Sequence, residues 1–511
     1  MTTMLAKTFG SALVGIHASI ITIETHVGQG SKCYLVGLPD STIKESIQRV
    51  ESAIKQIGYF FPRRKVVINL APADIRKEGS GYDLPIALGL LQASEQTKMI
   101  RLSDYLIMGE LSLTGEIRPI KGALSMAVEA KKQGIKSLIL PLENASEAAL
   151  IDGIDIYGMT NLRDTIRFLH GRPQAPIPTP NTHSGAVHYA DDFSHIKGQE
   201  KAKRAIEIAV AGGHNLLMVG PPGAGKTMMA KCIPSIMPPM SQEEIIETTQ
   251  IHSVGGKLSS DNPLITERPF RALHHSISAP ALIGGRTNPH PGEISLAHQG
   301  VLFLDELPEF QRHVLELLRQ PLEERKIPIS RAHGTVEFPA NFLLISAMNP
   351  CPCGYFHHPE KPCTCKPFQV ERYLHRISGP LLDRIDMHLE VFPLKYPDMF
   401  NSKVSESSAD IRERVIQARN IQKNRFQNLS SLQTNAELNS EQVKQVCLID
   451  SFSSNLLQSA IEKLQLSARA HDRILKMART IADLSHSSTI EAKHLAEAIT
   501  YRNLDRENWS G

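Results

Sequence analysis

The stretch Gly220-Pro221-Pro222-Gly223-Ala224-Gly225-Lys226-Thr227 decides the fold of the central part of this 511-residue chain. Glycines at this spacing let the backbone approach phosphate groups, and the successive N–H groups of such a loop cradle them. An apolar run at 215–219 precedes the loop, and a helical pattern from Met228 follows it. This strand, loop and helix predict a phosphate-binding site in an open parallel sheet, whose ligands lie at the carboxyl ends of its strands.

Two further apolar runs end in polar side chains, as strands of the same sheet should. The run 300–304 leads into Asp305-Glu306, and the run 341–347 leads into Met348-Asn349. Strand ends that carry acids are common in proteins. We therefore assign Asp305-Glu306 and Asn349 to the phosphate site only because a complete glycine-rich loop lies upstream of them.

The residue types at these positions predict ATP and Mg²⁺ as cofactors. Lys226 is expected to reach the β- and γ-phosphates, and Thr227 to ligate Mg²⁺. Asp305 is expected to hold that ion through water, and Glu306 to orient and deprotonate the attacking water. The predicted nucleotide-binding residues are Gly220, Pro221, Pro222, Gly223, Ala224, Gly225, Lys226, Thr227 and Met228.

Composition sets the broad class of the protein. Hydrophobic residues make up 41% and charged residues 21%, which is ordinary for a globular protein. The net charge of +3 is too weak to indicate nucleic-acid binding by itself, so a basic surface would have to be local. The first apolar stretch is interrupted by His17 and Glu24, which is untypical of a signal peptide, and we expect a cytoplasmic protein without a membrane partner.

The pattern along the chain predicts three α/β or helical domains and a linker. Residues 1–170 alternate between strand-like and helix-like runs, which predicts an α/β domain. Residues 171–190 are rich in proline and predict a linker. Residues 191–395 contain the phosphate loop and its parallel sheet, and residues 396–511 form a mainly helical tail.

The glycine-rich loop, the Asp305-Glu306 strand, Asn349 and the run 378–386 (Ser-Gly-Pro-Leu-Leu-Asp-Arg-Ile-Asp) together resemble AAA+ ATPases of the magnesium-chelatase branch. Over nearly its full length the chain resembles the ComM/YifB group of that branch. The resemblance implies a Lon-protease-like α/β domain over 1–170, an AAA+ P-loop parallel-sheet module over 191–395, and a helical C-terminal lid over 396–511.

The resemblance also implies catalytic roles for Glu306, Lys226, Asn349, Arg384 and Arg469. Asn349 resembles the first sensor, near the γ-phosphate, although an Asn-Pro turn is the alternative. Arg384 resembles the arginine finger that enters a neighbouring subunit's site, with Arg376 as a rival. A structural pair with Asp383 or Asp386 is the alternative for Arg384.

Arg469 resembles the second sensor, with Arg473 one helical turn further on as the alternative and a solvated arginine as the third possibility. A finger that acts in trans requires a head-to-tail homo-oligomeric ring, and the family implies a hexamer.

Four of the seven cysteines crowd into the loop 351–365: Cys351, Cys353, Cys363 and Cys365. Four thiolates could close a tetrahedral structural Zn²⁺ site. The Cys-x-Cys spacing is tighter than the usual knuckle, and His357 or His358 could replace one ligand. Reduced, unliganded thiols are the alternative interpretation.

The N-terminal domain has lost the residues of a Lon-type peptidase. In the run 76–83 the place of the Lon nucleophile falls on Gly81, with Ser80 one position early, and the place of the Lon lysine falls on Leu124. A serine needs a positioned base, and leucine cannot serve as one. Lys121 is near in sequence but precedes the helix, so the resemblance implies an inactive scaffold.

Two loops have a basic character. The run 326–337 consists of two alternating stretches around Ala-His-Gly, which predicts a β-hairpin. Its basic residues are Lys326, Arg331 and His333, and Arg286 lies in the other loop, 284–292. Basic loops along a pore could grip a phosphate backbone without reading sequence, whereas solvated loops are the alternative.

The leading hypothesis from the resemblance is a ring-shaped motor that hydrolyses ATP and acts on single-stranded or branched DNA. Its work would be helicase activity or branch migration that integrates incoming single strands in natural transformation. One alternative is a chelatase-type motor that remodels a protein partner, and another is an ATP-dependent Lon-like protease, which Gly81 and Leu124 disfavour.

Overall fold

A computed structural model describes residues 5–179, 189–258, 263–285, 289–331, 334–358, 360–393, 405–427, 432–464 and 467–502. Within these ranges the α/β class, the parallel core sheet and the helical C-terminal region are all confirmed. No helix in the described part of the chain combines the length and apolar character needed to cross a bilayer.

The N-terminal region is a mixed seven-stranded sheet with helices packed on it, and its strand order is β3-β4-β2-β1-β5-β8-β9. Its strands are β1 (Leu5–Val14), β2 (His17–Gly28), β3 (Cys33–Val36), β4 (Lys65–Ala71), β5 (Tyr105–Ile107), the short pair β6 (Glu110–Leu111) and β7 (Ile117–Arg118), β8 (Ser137–Pro141) and β9 (Asp155–Met159). Its helices are α1 (Ser41–Gln56), α2 (Asp83–Ala93), α3 (Ala123–Lys132), α4 (Leu142–Ala148) and α5 (Leu162–Leu169).

The first apolar stretch of the chain is a long antiparallel hairpin. β1 pairs with β2 from Leu5 opposite His26 to Val14 opposite His17. The polar residues that interrupt the stretch are strand residues whose side chains alternate between the two faces of the sheet.

The central region contains a five-stranded parallel sheet with the order β11-β14-β17-β10-β18. Its strands and hairpins are β10 (Leu216–Val219), β11 (Phe270–Leu273), β12 (Gly284–Gly285), β13 (His290–Pro291), β14 (Val301–Leu304), β15 (Lys326–Arg331), β16 (Gly334–Pro339), β17 (Leu343–Met348) and β18 (Met387–Glu390). Its helices are α6 (Glu200–Gly212), α7 (Lys226–Ile236), α8 (Gln242–Val254), α9 (Ala279–Ile283), α10 (Glu293–Leu296), α11 (Arg312–Glu316), α12 (Arg319–Glu324), α13 (Pro367–Leu374) and α14 (Gly379–Leu382).

Strand register brings three functional segments to one edge of this sheet. Val219 lies opposite Met348 and Leu304 lies opposite Ser346. The phosphate loop, Asp305-Glu306 and Asn349 therefore leave the sheet side by side, as the three separate sequence patterns predicted.

The C-terminal region is helical: α15 (Ser408–Arg425), α16 (Ser440–Val446), α17 (Ser451–Leu464), α18 (Ala468–Leu484) and α19 (Ala492–Thr500). Val415 and Ile474 lie in one buried cluster with Ile206 of α6. Gln422 Nε2 donates a hydrogen bond to the Ala211 carbonyl, 3.0 Å away. The C-terminal helices thus share a core with the helix that precedes the phosphate-loop strand.

The N-terminal region docks on the central region through the β1–β2 turn and α3. Ile16 of the turn is 4% exposed and lies in one buried cluster with Ile327, Ile329 and Phe338 of the β15–β16 hairpin. The Gly122 N–H donates to Ser253 Oγ at the end of α8, 3.0 Å away. The hairpin is therefore packed at its base against the N-terminal region.

Candidate functional site

The phosphate loop has the backbone that its glycines permit. Gly223 and Gly225 have φ values of 78° and 86°, in the left-handed region that favours glycine. A Cβ on Gly220 would lie 2.3 Å from the Val391 carbonyl oxygen, so a side chain there would push the loop off its neighbouring strand. The loop ends in the first turn of α7, whose N–H groups and positive dipole end suit an anion.

Lys226 and Thr227 connect the loop to the two other strand ends. Lys226 Nζ donates to the carbonyls of Gly220 (2.6 Å) and Pro221 (3.0 Å) and to Asn349 Oδ1 (3.2 Å). Thr227 Oγ1 donates to Asp305 Oδ2, 2.8 Å away. Burial lowers the pKa of Lys226, and the nearby Asp305 and Glu306 carboxylates oppose that shift.

Glu306 stands at the mouth of the site in a left-handed conformation, with φ of 54°. Its backbone N–H donates to Asp305 Oδ1 (3.0 Å), and its Oε2 lies 3.5 Å from Nδ1 of His275. The sequence patterns did not predict His275. Its place follows from strand register, which only the structure shows: Leu273 of β11 lies opposite Leu304 of β14, and this brings the next residues of both strands together.

Two adjoining cavities share Ala224, Gly225 and Met228 as lining residues. The first, about 340 Å³, is lined by the phosphate loop with Asp305, Glu306 and Asn349. The second, about 210 Å³, lies beyond Gly225 and Met228 and is lined by His195, Ile196, Lys197 and Gln199. The sequence patterns gave no role to His195–Gln199. These residues precede α6, and their position beside the phosphate loop depends on how the chain runs from α6 to α7.

The four arginine candidates are held by carboxylates of their own subunit. Arg384 lies 2.5 Å from Glu323, and Arg376 lies 2.6 Å from Glu309. Arg469, which is 66% exposed, lies 3.6 Å from Asp383, and Arg473 lies 3.5 Å from Asp386. Among the described residues, no hydrogen bond or ion pair joins Arg384 or Arg469 to the phosphate loop of the same chain.

The four loop thiols come together as the sequence predicted. The Sγ atoms of Cys351, Cys353, Cys363 and Cys365 all lie within 4.8 Å of one another. The closest pairs are separated by 3.3, 3.5 and 3.7 Å. Zn–S bonds of about 2.3 Å in a tetrahedron separate the sulfurs by about 3.8 Å, so the cluster matches the size of a zinc site.

The thiol loop also contacts the phosphate loop. Gly354, between the two cysteine pairs, has φ of 83°, and a Cβ there would lie 2.5 Å from Cδ of Pro222. Cys351 is fully buried, and burial raises the pKa of its thiol. The loop follows Asn349 directly, so the thiol cluster packs against both the phosphate loop and the strand end.

Within residues 5–179, the positions that correspond to the Lon nucleophile and lysine do not form a nucleophile–base pair. Leu124 is fully buried in α3, and Gly81 is buried beside Met108. Ser80 donates a hydrogen bond to Glu110 rather than to a lysine. Ser80 and Lys121 line one cleft of about 630 Å³, between this region and the central one, but Lys121 carries its side chain over Gly256.

The predicted hairpin exists as β15 and β16, and it extends two residues beyond the predicted end. Lys326 Nζ lies 3.3 Å from Glu337 across the hairpin, so part of its charge is neutralised. Arg331 ends β15, where its backbone pairs with Gly334. His333 and Arg286 lie outside the described residues.

Three family models match the chain in order. The model described as subunit ChlI of Mg-chelatase matches residues 23–144, magnesium chelatase subunit ChlI matches 192–399, and its C-terminal model matches 405–502. Lon protease 1 of Hydrogenovibrio crunogenus is 28% identical over 169 residues, covering 30% of this chain and 20% of that protein.

Two full-length relatives are much more similar. The uncharacterized protein YifB of Escherichia coli K12 is 45% identical over 500 residues, which cover 97% of this chain and 96% of that protein. The competence protein ComM of Haemophilus influenzae is 44% identical over 509 residues, which cover 98% of both chains. With the site geometry and all three family models in agreement, the chain belongs to the ComM/YifB family of magnesium-chelatase-like AAA+ proteins.

Proposed function

We propose that this protein is a Mg²⁺-dependent ATPase that assembles into a homo-oligomeric ring, a hexamer, and acts as a motor on DNA. The observation that carries the ATPase part is the convergence of Lys226, Thr227, Asp305, Glu306 and Asn349 on one cavity. The similarity to a competence protein over almost the whole chain supports DNA as the substrate.

In this proposal each residue of the site has one task. Lys226 binds the β- and γ-phosphates, Thr227 and Asp305 hold Mg²⁺, and Glu306 activates the attacking water. Asn349 orients that water or the γ-phosphate. Mg²⁺ held by Thr227 and Asp305 would supply positive charge to offset the negative charge that develops during phosphoryl transfer.

Arg384 and Arg469 complete the site in the proposed ring. Arg384 acts on the nucleotide of the neighbouring subunit, and Arg469, which is well exposed, reaches the γ-phosphate as the second sensor. We expect Arg384→Ala to abolish ATPase activity and to leave nucleotide binding intact. Near-normal turnover of that variant would contradict the finger assignment.

Steady-state ATP hydrolysis with and without DNA tests the substrate. We expect single-stranded or branched DNA to raise the rate of wild type, and Lys226→Ala, which lacks the phosphate-binding ammonium, to stay inactive in both conditions. If DNA leaves the rate of wild type unchanged, the proposal that DNA is the substrate is contradicted. The proposal of ATPase activity is tested separately, because the same assay measures hydrolysis without DNA.

The hairpin β15–β16 is proposed to grip the DNA backbone through Arg331 and its neighbours. Removal of one phosphate contact should weaken binding of all sequences and reduce the slope of log K against log[salt] by about 1. We therefore expect Arg331→Ala to bind DNA more weakly than wild type, with a smaller salt dependence. Equal binding at several salt concentrations would remove the hairpin from the DNA interface.

A protein partner is the second candidate substrate, because the family model over 192–399 is named for a magnesium chelatase subunit. Stimulation of the ATPase by a partner protein and not by DNA would favour it. The contacts of Ser80 and the burial of Leu124 do not support a Lon-like protease. Cleavage of casein by the purified protein would be the evidence for one.

We also propose that Cys351, Cys353, Cys363 and Cys365 hold a structural Zn²⁺. With four protein ligands the ion would have no open position, so it would fix the loop rather than take part in hydrolysis. Metal analysis of purified wild type should give zinc that Cys351→Ser loses. Cys33→Ser, which changes an exposed thiol outside the cluster, is the control. Equal zinc contents in wild type and Cys351→Ser would contradict the site.

A further inference from the structure

The guanidinium of Arg384 is folded onto its own subunit. Its Nη2 lies 2.5 Å from Oε1 of Glu323, and its Nη1 donates to the Pro380 carbonyl, 2.6 Å away. The Arg384 side chain is only 11% exposed, whereas Glu323 is 55% exposed. Within the described part of the chain, the buried Nε of Arg384 has no hydrogen-bond acceptor.

This arrangement conflicts with the task of a finger. A guanidinium has five N–H donors in a fixed plane, and bidentate binding of a phosphate needs two neighbouring ones. Nη1 and Nη2 are directed at Pro380 and Glu323, and the side chain is only 11% exposed, so in this position Arg384 does not present two neighbouring donors to a phosphate of another subunit. The side chain must leave Glu323 before it can act in trans.

We propose that Glu323 is a latch that holds Arg384 retracted, and that displacement of the β15–β16 hairpin opens it. The proposal rests on the proposed function, since it takes Arg384 as the finger for the nucleoside triphosphate of a neighbouring copy. Glu323 is in this sense a positioning residue, because it acts on the reaction through Arg384.

The two halves of the latch are attached to different parts of the molecule. Glu323 lies in α12, which ends at Glu324, and after the single residue Arg325 the hairpin strand β15 begins at Lys326. The backbone of Arg384 is instead fixed to the start of the phosphate-loop strand, because Asn215 Nδ2 donates to its carbonyl, 3.1 Å away. A pull on the hairpin therefore moves Glu323 relative to Arg384.

The exposure of Glu323 suits a reversible latch. Ion pairs with one partner largely in water contribute little to stability and are broken readily. A substrate bound to the hairpin thus has enough free energy to open this pair. The latch would couple substrate binding at the hairpin to hydrolysis in the adjacent subunit.

Steady-state ATPase assays on the full-length protein test the latch through Glu323→Gln, which keeps the shape of the side chain and removes its charge. The matched control is Glu324→Gln, which changes the next residue, whose carboxylate accepts from Gln320 at 2.9 Å. We expect Glu323→Gln to raise the DNA-free rate by about 2- to 5-fold, the range that corresponds to one exposed ion pair. We expect DNA to stimulate it less than wild type, and Glu324→Gln to behave as wild type.

The double variant Glu323→Gln/Arg384→Ala shows whether the effect passes through Arg384. We expect it to be as inactive as Arg384→Ala. If Glu323→Gln has the DNA-free rate of Glu324→Gln while Arg384→Ala is inactive, the latch is overturned and the finger stands. If Arg384→Ala turns over normally, the finger assignment fails and the latch fails with it. Equal thermal midpoints of Glu323→Gln and Glu324→Gln exclude a folding defect as the cause.

Discussion

At the scale of single residues, the site depends on where a few charged atoms are held. Glu306 is directed by a left-handed backbone and by His275, and Lys226 is held by two carbonyls and by Asn349. These contacts hold the Glu306 carboxylate, the Lys226 ammonium and the Asn349 amide, the groups we propose as base, phosphate ligand and sensor, in position relative to one another. Such preorganisation is what makes transition-state stabilisation effective.

Substitution of Glu306, which we propose as the general base, should lower the rate of hydrolysis without weakening ATP binding. We expect Glu306→Gln to lower kcat for ATP by about 10²- to 10⁴-fold, because general-base catalysis contributes that much, and to bind ATP as wild type does. Single-turnover hydrolysis and titration with a fluorescent ATP analogue measure the two quantities. If the variant keeps more than a tenth of the wild-type rate, a residue other than Glu306 acts as the general base.

His275 should have a smaller effect of the same kind. Its contact with Glu306 is partly exposed, and such pairs are worth about 0.2–1 kcal/mol, so we expect His275→Ala to lower kcat by roughly 2- to 5-fold. KM for ATP should hardly change, because His275 does not line the phosphate cavity. A change confined to KM would mean that His275 contributes to binding and not to the position of Glu306.

At the scale of elements, the thiol loop and the phosphate loop form one unit. Gly354 lies against Pro222, and the loop begins two residues after Asn349. The thiol loop thus contacts the phosphate loop on the side of β17, the strand that leads to Asn349. A bound Zn²⁺ would stiffen this support without contacting the nucleotide.

Gly354→Ala tests that contact. A Cβ would meet Pro222 at 2.5 Å, and φ of 83° adds backbone strain, so about 1–2 kcal/mol should pass into the phosphate loop. We expect the Kd for ADP to rise by roughly 5- to 30-fold. Gly134→Ala is the control, because Gly134 has a similar φ of 74° and no atom within 4 Å of its Cβ position. Equal Kd values for both variants would mean that the contact of Gly354 with Pro222 does not affect the phosphate loop.

At the scale of the whole molecule, the Lon-like region serves as a base for the hairpin. Ile16 of the β1–β2 turn lies in one buried cluster with residues of the hairpin, and the N–H of Gly122, just before α3, donates to Ser253 Oγ at the end of α8. The N-terminal region therefore contacts the element that we propose to grip DNA.

Gly15→Val should loosen that base. The new side chain would overlap Val336, since even a Cβ at Gly15 lies 2.5 Å from Val336 Cγ1. We expect DNA stimulation of the ATPase to fall by more than half, while the DNA-free rate stays near that of wild type. Gly153→Val controls for backbone strain, because Gly153 has φ of 83° and open space around it. If both variants lose DNA stimulation, the loss results from lower stability of the N-terminal domain and not from the contact of Gly15 with Val336.

The sequence by itself determined the nucleotide site, because each of its parts is local: a glycine-rich loop after a strand, and polar residues directly after two other strands. It also determined the thiol cluster and the hairpin, since ligands and alternating runs close in sequence stay close in space. Tertiary structure alone decided the contacts of His275 with Glu306, Gly354 with Pro222, and Arg384 with Glu323. Each joins residues that are distant in the chain or on separate elements, and packing of the sheets and loops, which no local pattern encodes, brings them together.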